Sequence, residues 1–139
     1  MNASRDIDLP WVATDASGRL AIFTTAGEGP VPPSALQVSA AAEAAVAQLP
    51  VVGGSELLVR YSRPDDFLAW AERGLYAYDW RDVHRANAQR TGCYELVAKP
   101  LCPMLMIGLA PEMRLPFEAT VIRGVAFGQA LVSGSQFGT

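Results

Sequence analysis

Histidine occurs once in this chain and cysteine twice, and no stretch stays apolar for the roughly 18 to 20 residues that a membrane-crossing helix needs. Each scarcity excludes something. One histidine, His84, with Cys93 and Cys102 cannot supply the close Cys or His pairs of a structural zinc site. The first residues, Met1 to Asp8, lack a basic segment followed by an apolar one, so neither a secretory signal nor a membrane span is expected. A cytoplasmic location follows, with both thiols reduced and acting as small hydrophobes. Charged residues are only 18% of the chain, the net charge is -3, and Lys and Arg are nowhere clustered along one segment. A general phosphate-binding surface, and with it a nucleic-acid partner, is not expected. P-loop, G-x-S-x-G and H-E-x-x-H patterns are absent. Gly27-Glu28-Gly29 is cut short by Pro30 before any strand-to-helix turn could cradle a phosphate.

What is present is apolar. Half of the 139 residues are hydrophobic, enough to offset the entropy of ordering one domain of this size. We read a single α+β domain over 1–139, with 1–8 and 133–139 as loose ends. Leu9–Asp15 and Arg19–Thr25 form a hairpin around Asp15-Ala16-Ser17-Gly18, with Trp11, Ala13, Ala21 and Phe23 sharing a face. Gly27–Pro33 is a loop, and alanine-rich Ser34–Leu49 is a helix with Ser34 or Ser39 as its cap. Glu56–Tyr61 reads as a strand. Ser62-Arg63-Pro64-Asp65-Asp66 starts a second helix, with the carboxylates at the positive end of its dipole, Arg73 at the other end and Gly74 as the stop. Strands are expected at Leu75–Trp80 and Cys93–Lys99, then at Leu105–Leu109, Glu118–Ile122 and Val125–Val132, with Gly124 and Gly128 marking a turn or bulge. This order is not the alternation of a parallel doubly wound sheet. The expected architecture is an antiparallel or mixed sheet with two main helices packed on one face.

The most unusual local composition is Tyr76 to Arg85. It joins a strand face of Tyr76, Tyr78 and Trp80 to a mixed-charge end of Arg81, Asp82, His84 and Arg85. Aromatics and arginine dominate interfaces and polar ligand sites, so these seven residues are the candidate binding site. The alternative is a core-facing aromatic row followed by a solvated turn. Any Cys-His or Ser-His mechanism would have to use His84. The flanks of Cys93 and Cys102 show no nucleophile motif, and no catalytic residue is assigned.

Two stretches carry a resemblance: Leu9-Pro10-Trp11-Val12-Ala13-Thr14-Asp15 through Gly18 to Phe23 with Gly29-Pro30-Val31-Pro32, and Arg73-Gly74-Leu75-Tyr76-Ala77-Tyr78-Asp79-Trp80. They resemble small uncharacterised bacterial proteins, some of which look like immunity proteins of contact-dependent or secreted toxin systems. The resemblance spans about a third of the chain and implies a cytosolic binding module with no cofactor. It supplies no catalytic residue. The expected function is a non-enzymatic protein-binding module whose partner is a cognate protein such as a toxin. Two rivals stand beside it: a small-molecule site framed by Tyr78, Trp80, His84 and Arg85, and a structural subunit that forms homo-oligomers through a sheet edge.

Overall fold

The computed structural model describes residues 10–59, 64–80 and 93–137. Asp15 sets the turn between the first two described strands. Its Oδ1 accepts the backbone N–H of Ser17 and of Arg19, each at 2.9 Å, and Gly18 takes the left-handed φ of +86° that closes the turn. The flanking segments pair as expected: β1 (Trp11–Asp15) runs antiparallel to β2 (Leu20–Thr24), with Trp11 opposite Phe23 and Ala13 opposite Ala21. Those four residues share one face, while Val12, Leu20 and Ile22 occupy the other. Both faces are buried.

The helix expected from Ser34 to Leu49 is two helices, α1 (Pro33–Gln37) and α2 (Ser39–Gln48), broken at Val38 with φ -114° and ψ 19°. The two parts serve different cores. Ala35 packs with the Trp11 cluster, whereas Ala42, Ala45 and Val46 pack with the Val12 cluster, so the chain bends between them. Neither serine is the cap. Pro32 precedes α1 and Pro33 occupies its first turn, where no donor is needed, and Ser34 Oγ instead lies 2.6 Å from Thr120 Oγ1.

β3 (Ser55–Leu57) is shorter than expected, and the expected capping residue Ser62 lies outside the described residues. α3 (Asp65–Glu72) keeps Asp65 and Asp66 in its first turn. At its other end Arg73 donates to the carbonyls of Ala69 (3.0 Å) and Leu49 (3.1 Å), tying the ends of α3 and α2 together. Gly74 stops the helix at φ +94° and delivers β4 (Tyr76–Asp79), which pairs with β2 in parallel and with β5 (Cys93–Pro100) antiparallel. Ala77 faces Ala98 but Tyr78 faces Leu96, so Val97 is an extra residue on β5. That bulge lets both Val97 and Ala98 reach the helix-side core, while Tyr94 and Leu96 remain on the aromatic side.

Beyond β5 the extended readings fail. Met106–Gly108 is a 3-10 turn closed by Gly108 N–H to the Leu105 carbonyl at 2.8 Å, in place of the strand expected at Leu105–Leu109. Pro111 opens a helix that sequence reasoning missed, α4 (Pro111–Glu118), which takes up the start of the strand expected at Glu118–Ile122. Only β6 (Val121–Ile122) remains of that strand, and of Val125–Val132 only its end joins β7 (Leu131–Ser133), after a turn in which Gly128 has φ +112°. The tail expected to be loose is held as far as Phe137: Ser133 and Gln136 form a capping box, and the Phe137 ring meets Trp11 edge-on at 5.3 Å.

The result is α+β. A mixed seven-stranded sheet has the order β3-β5-β4-β2-β1-β6, with β7 also on β5, and four α-helices are present among the described residues. β1 and β6, like β2 and β4, are parallel. α2, α3 and α4 cover one face around Leu20, Ile22, Phe67 and Phe117. Loops, α1 and the C-terminal segment cover the other around Phe23, Tyr78 and Tyr94.

Candidate functional site

Tyr76, Tyr78 and Trp80 point to the same side of β4, as the two-residue period requires, but that side is a core. Tyr76 and Tyr78 are buried and Trp80 is half-buried at the margin. The Phe23 ring stacks on Trp11 at 4.1 Å and on Tyr78 at 5.0 Å, and Tyr94 meets Trp11, Phe23 and Trp80 edge-on at 5.1 to 5.8 Å. The two central phenols are hydrogen-bonded as donors and as acceptors. Tyr78 Oη donates to the Gln129 carbonyl (2.9 Å) and accepts Gly128 N–H (3.0 Å). Tyr94 Oη donates to the Pro30 carbonyl (2.8 Å) and accepts the Trp11 indole N–H (3.2 Å). These hydroxyls fasten two loop backbones onto the sheet. Burial, partly offset by the Gly128 amide, pushes the Tyr78 phenol well above the ordinary tyrosine range. It is a structural hydroxyl.

Asp79, on the opposite side of β4, is buried and accepts from Thr24 Oγ1. Arg81, Asp82, His84 and Arg85 lie outside the described residues. The structure therefore brings Tyr76, Tyr78 and Trp80 together as core and core margin, the core-facing row weighed from the sequence, whereas Asp79, expected in a solvated turn, is buried and the rest of that turn lies outside the described residues. Tyr78, fully buried, does not frame an open pocket. Cys93 is buried at the start of β5 and Cys102 is exposed beyond its end; neither is in a disulfide, and the seven strand residues that follow Cys93, about 23 Å, lie between them. Among the described residues no group of three or more His, Cys, Asp or Glu could hold a metal ion, and no helix is long and apolar enough to cross a membrane.

The surface that does stand out lies between β5 and α4. Residues 100–111, Pro-Leu-Cys-Pro-Met-Leu-Met-Ile-Gly-Leu-Ala-Pro, contain no charged side chain, hydroxyl or amide, which is unusual for a surface connection. Its backbone is anchored repeatedly: Leu101 N–H to Gly54 O (3.0 Å), Met104 N–H to Gly74 O (3.0 Å) and Met106 N–H to Gly18 O (2.7 Å). Arg114 of α4 holds it from the other side through the carbonyls of Leu109 (2.9 Å) and Ile107 (3.3 Å). Met104 and Met106 turn inward onto the helix-side core, and the residues after each turn out, Leu105 at 42% and Ile107 at 80% exposure. Leu101 is 60% exposed, and Val51 and Val52 lie next to Gly53, which abuts Cys102. The strap is thus a fixed backbone that presents apolar side chains to water. Its sequence signal is the run of twelve residues without a polar side chain, which a search for titratable motifs does not register.

No family model matches this chain, and neither a curated protein nor a solved structure matches it.

Proposed function

We propose that this chain is a non-enzymatic protein-binding module that docks through the apolar strap 100–111. One observation carries the reading: Leu101, Leu105 and Ile107 are held outward on a backbone hydrogen-bonded to two glycine turns and to Arg114. Folded monomers rarely keep large contiguous apolar patches in water, and such patches mark interaction surfaces. A preorganised backbone lowers the entropy cost of association, and the two methionines beneath give the patch some freedom to adjust its shape. The resemblance to immunity proteins makes a cognate toxin the first partner to test. Contact through this strap is driven by apolar burial, so it depends weakly on salt, unlike an acidic surface covering a basic cleft.

The test is co-expression of the tagged chain with the product of the adjacent gene, followed by titration of the purified pair at about 50 and 500 mM salt. Binding within about threefold at the two concentrations supports the strap. A loss of two orders of magnitude at high salt would assign the interface to charged residues instead. If the partner is a second copy, the solution mass doubles with concentration and reverts to that of the monomer in Ile107→Asp. That outcome replaces the hetero-partner reading with self-association.

A further inference from the structure

The face of α2 toward the sheet is largely alanine, and between α2, α3 and the hairpin lies a groove of about 230 Å³. Val12 and Ile22 of the hairpin, Val46 and Ala47 of α2, and Trp70 of α3 line it. Apart from backbone, its lining offers two polar groups: the exposed Glu43 carboxylate and the Trp70 indole N–H. Neither has a hydrogen-bond or ion-pair partner among the described residues. The volume falls below the roughly 300 to 1,000 Å³ of drug-sized sites and suits one ring with a short chain.

We infer that this groove binds a small arylalkyl amine. Its ring would lie on Val12 and Ile22 against Trp70, and its ammonium would sit at the Glu43 carboxylate. Charge decides the class. The one ionisable side chain in the lining, Glu43, attracts a cation and repels an anion, and the net charge of -3 points the same way. A neutral analogue would keep the apolar contact and lose the ionic one. This site is separate from the strap and neither depends on the other.

The Trp70 indole cross-peak in a ¹H–¹⁵N spectrum of the full chain, identified by its loss in Trp70→Phe, reports occupancy. The probes are 2-phenylethylamine, 2-phenylethanol and 3-phenylpropanoate at pH 7. A saturable shift with the amine is expected, with the alcohol about three- to fivefold weaker, as suits an exposed ion pair, and the carboxylate weaker still. Glu43→Gln lowers the amine to the alcohol's affinity and leaves the alcohol unchanged. Ala47→Met, at an exposed helix position, fills the groove and removes the shift while the unfolding midpoint stays near wild type. No saturable amine shift up to about 10 mM overturns the proposal. Equal affinity for all three probes also overturns it, since the groove would then be an apolar gap without charge recognition.

Discussion

Replacing Tyr94 by Phe removes one oxygen from the centre of the aromatic face. The ring stacking survives, but the Trp11 indole N–H and the Pro30 carbonyl lose their shared partner. These two groups differ in their access to water. Pro30 is exposed and its carbonyl can be hydrated, whereas Trp11 is 2% exposed and its donor would stay dry. An unsatisfied buried polar group costs about 1 to 3 kcal/mol, so one such group sets the expected loss at about 2 kcal/mol. Urea unfolding followed by circular dichroism measures it as a lower midpoint at unchanged slope. Repeating the substitution in a Trp11→Phe background isolates the cause, since with no indole donor to orphan the cost of Tyr94→Phe should fall below about 1 kcal/mol. A single-variant loss under about 0.5 kcal/mol, or an equal loss in both backgrounds, would refute the anchoring role of this hydroxyl.

Three other expectations follow from the same contacts. Tyr78 is neutral when buried and its phenol is raised above the unfolded value of about 10, so stability should fall as pH rises above about 10. Subtracting the Tyr78→Phe curve from the wild-type unfolding free energies should isolate that slope. Gly74→Ala should destabilise by at least about 2 kcal/mol, because φ is +94° and the new Cβ would lie 2.5 Å from Met104 Cβ; a midpoint within error of wild type would count against the close approach of strap and β4. Asp15→Ala should cost about 3 kcal/mol in the same assay, since the carboxylate accepts the N–H of Ser17, Arg19 and, across the fold at 2.9 Å, Phe127. A cost limited to the turn, under about 1 kcal/mol, would mean that the Phe127 contact contributes nothing.

The sequence was most legible where local chemistry and tertiary contacts agree. Asp15 and Gly18 close their own turn, and the two-residue period then places Trp11 beside Phe23. Asp65, Asp66, Arg73 and Gly74 mark the ends of α3 through dipole, carbonyl and backbone preferences that need no distant partner. It was least legible where long-range packing chose between states of similar local cost. Nothing in Ser34–Leu49 announces a bend at Val38, because the bend exists to send Ala35 and Ala42 into different cores. In α4 the internal Pro116 argues locally against a helix, and the burial of Phe117 supplies the compensating gain. The same division explains the site. Tyr76 to Trp80 has the composition of an interface, and composition alone cannot distinguish it from a core covered by loops. The strap carries only apolar residues, which suggest a buried strand until its anchors at Gly18 and Gly74 fix which of them face outward.

The central claim is that recognition runs through the strap and that the aromatic segment is architecture. Ile107 is 80% exposed, so Ile107→Asp should leave the unfolding free energy within about 0.5 kcal/mol of wild type. Burying an isoleucine contributes about 1.5 to 3 kcal/mol, and an aspartate there would add a desolvation cost. Calorimetric titration of the co-purified partner should therefore show Ile107→Asp weaker than wild type by at least about tenfold. A folded Ile107→Asp variant that binds with wild-type affinity would contradict the account.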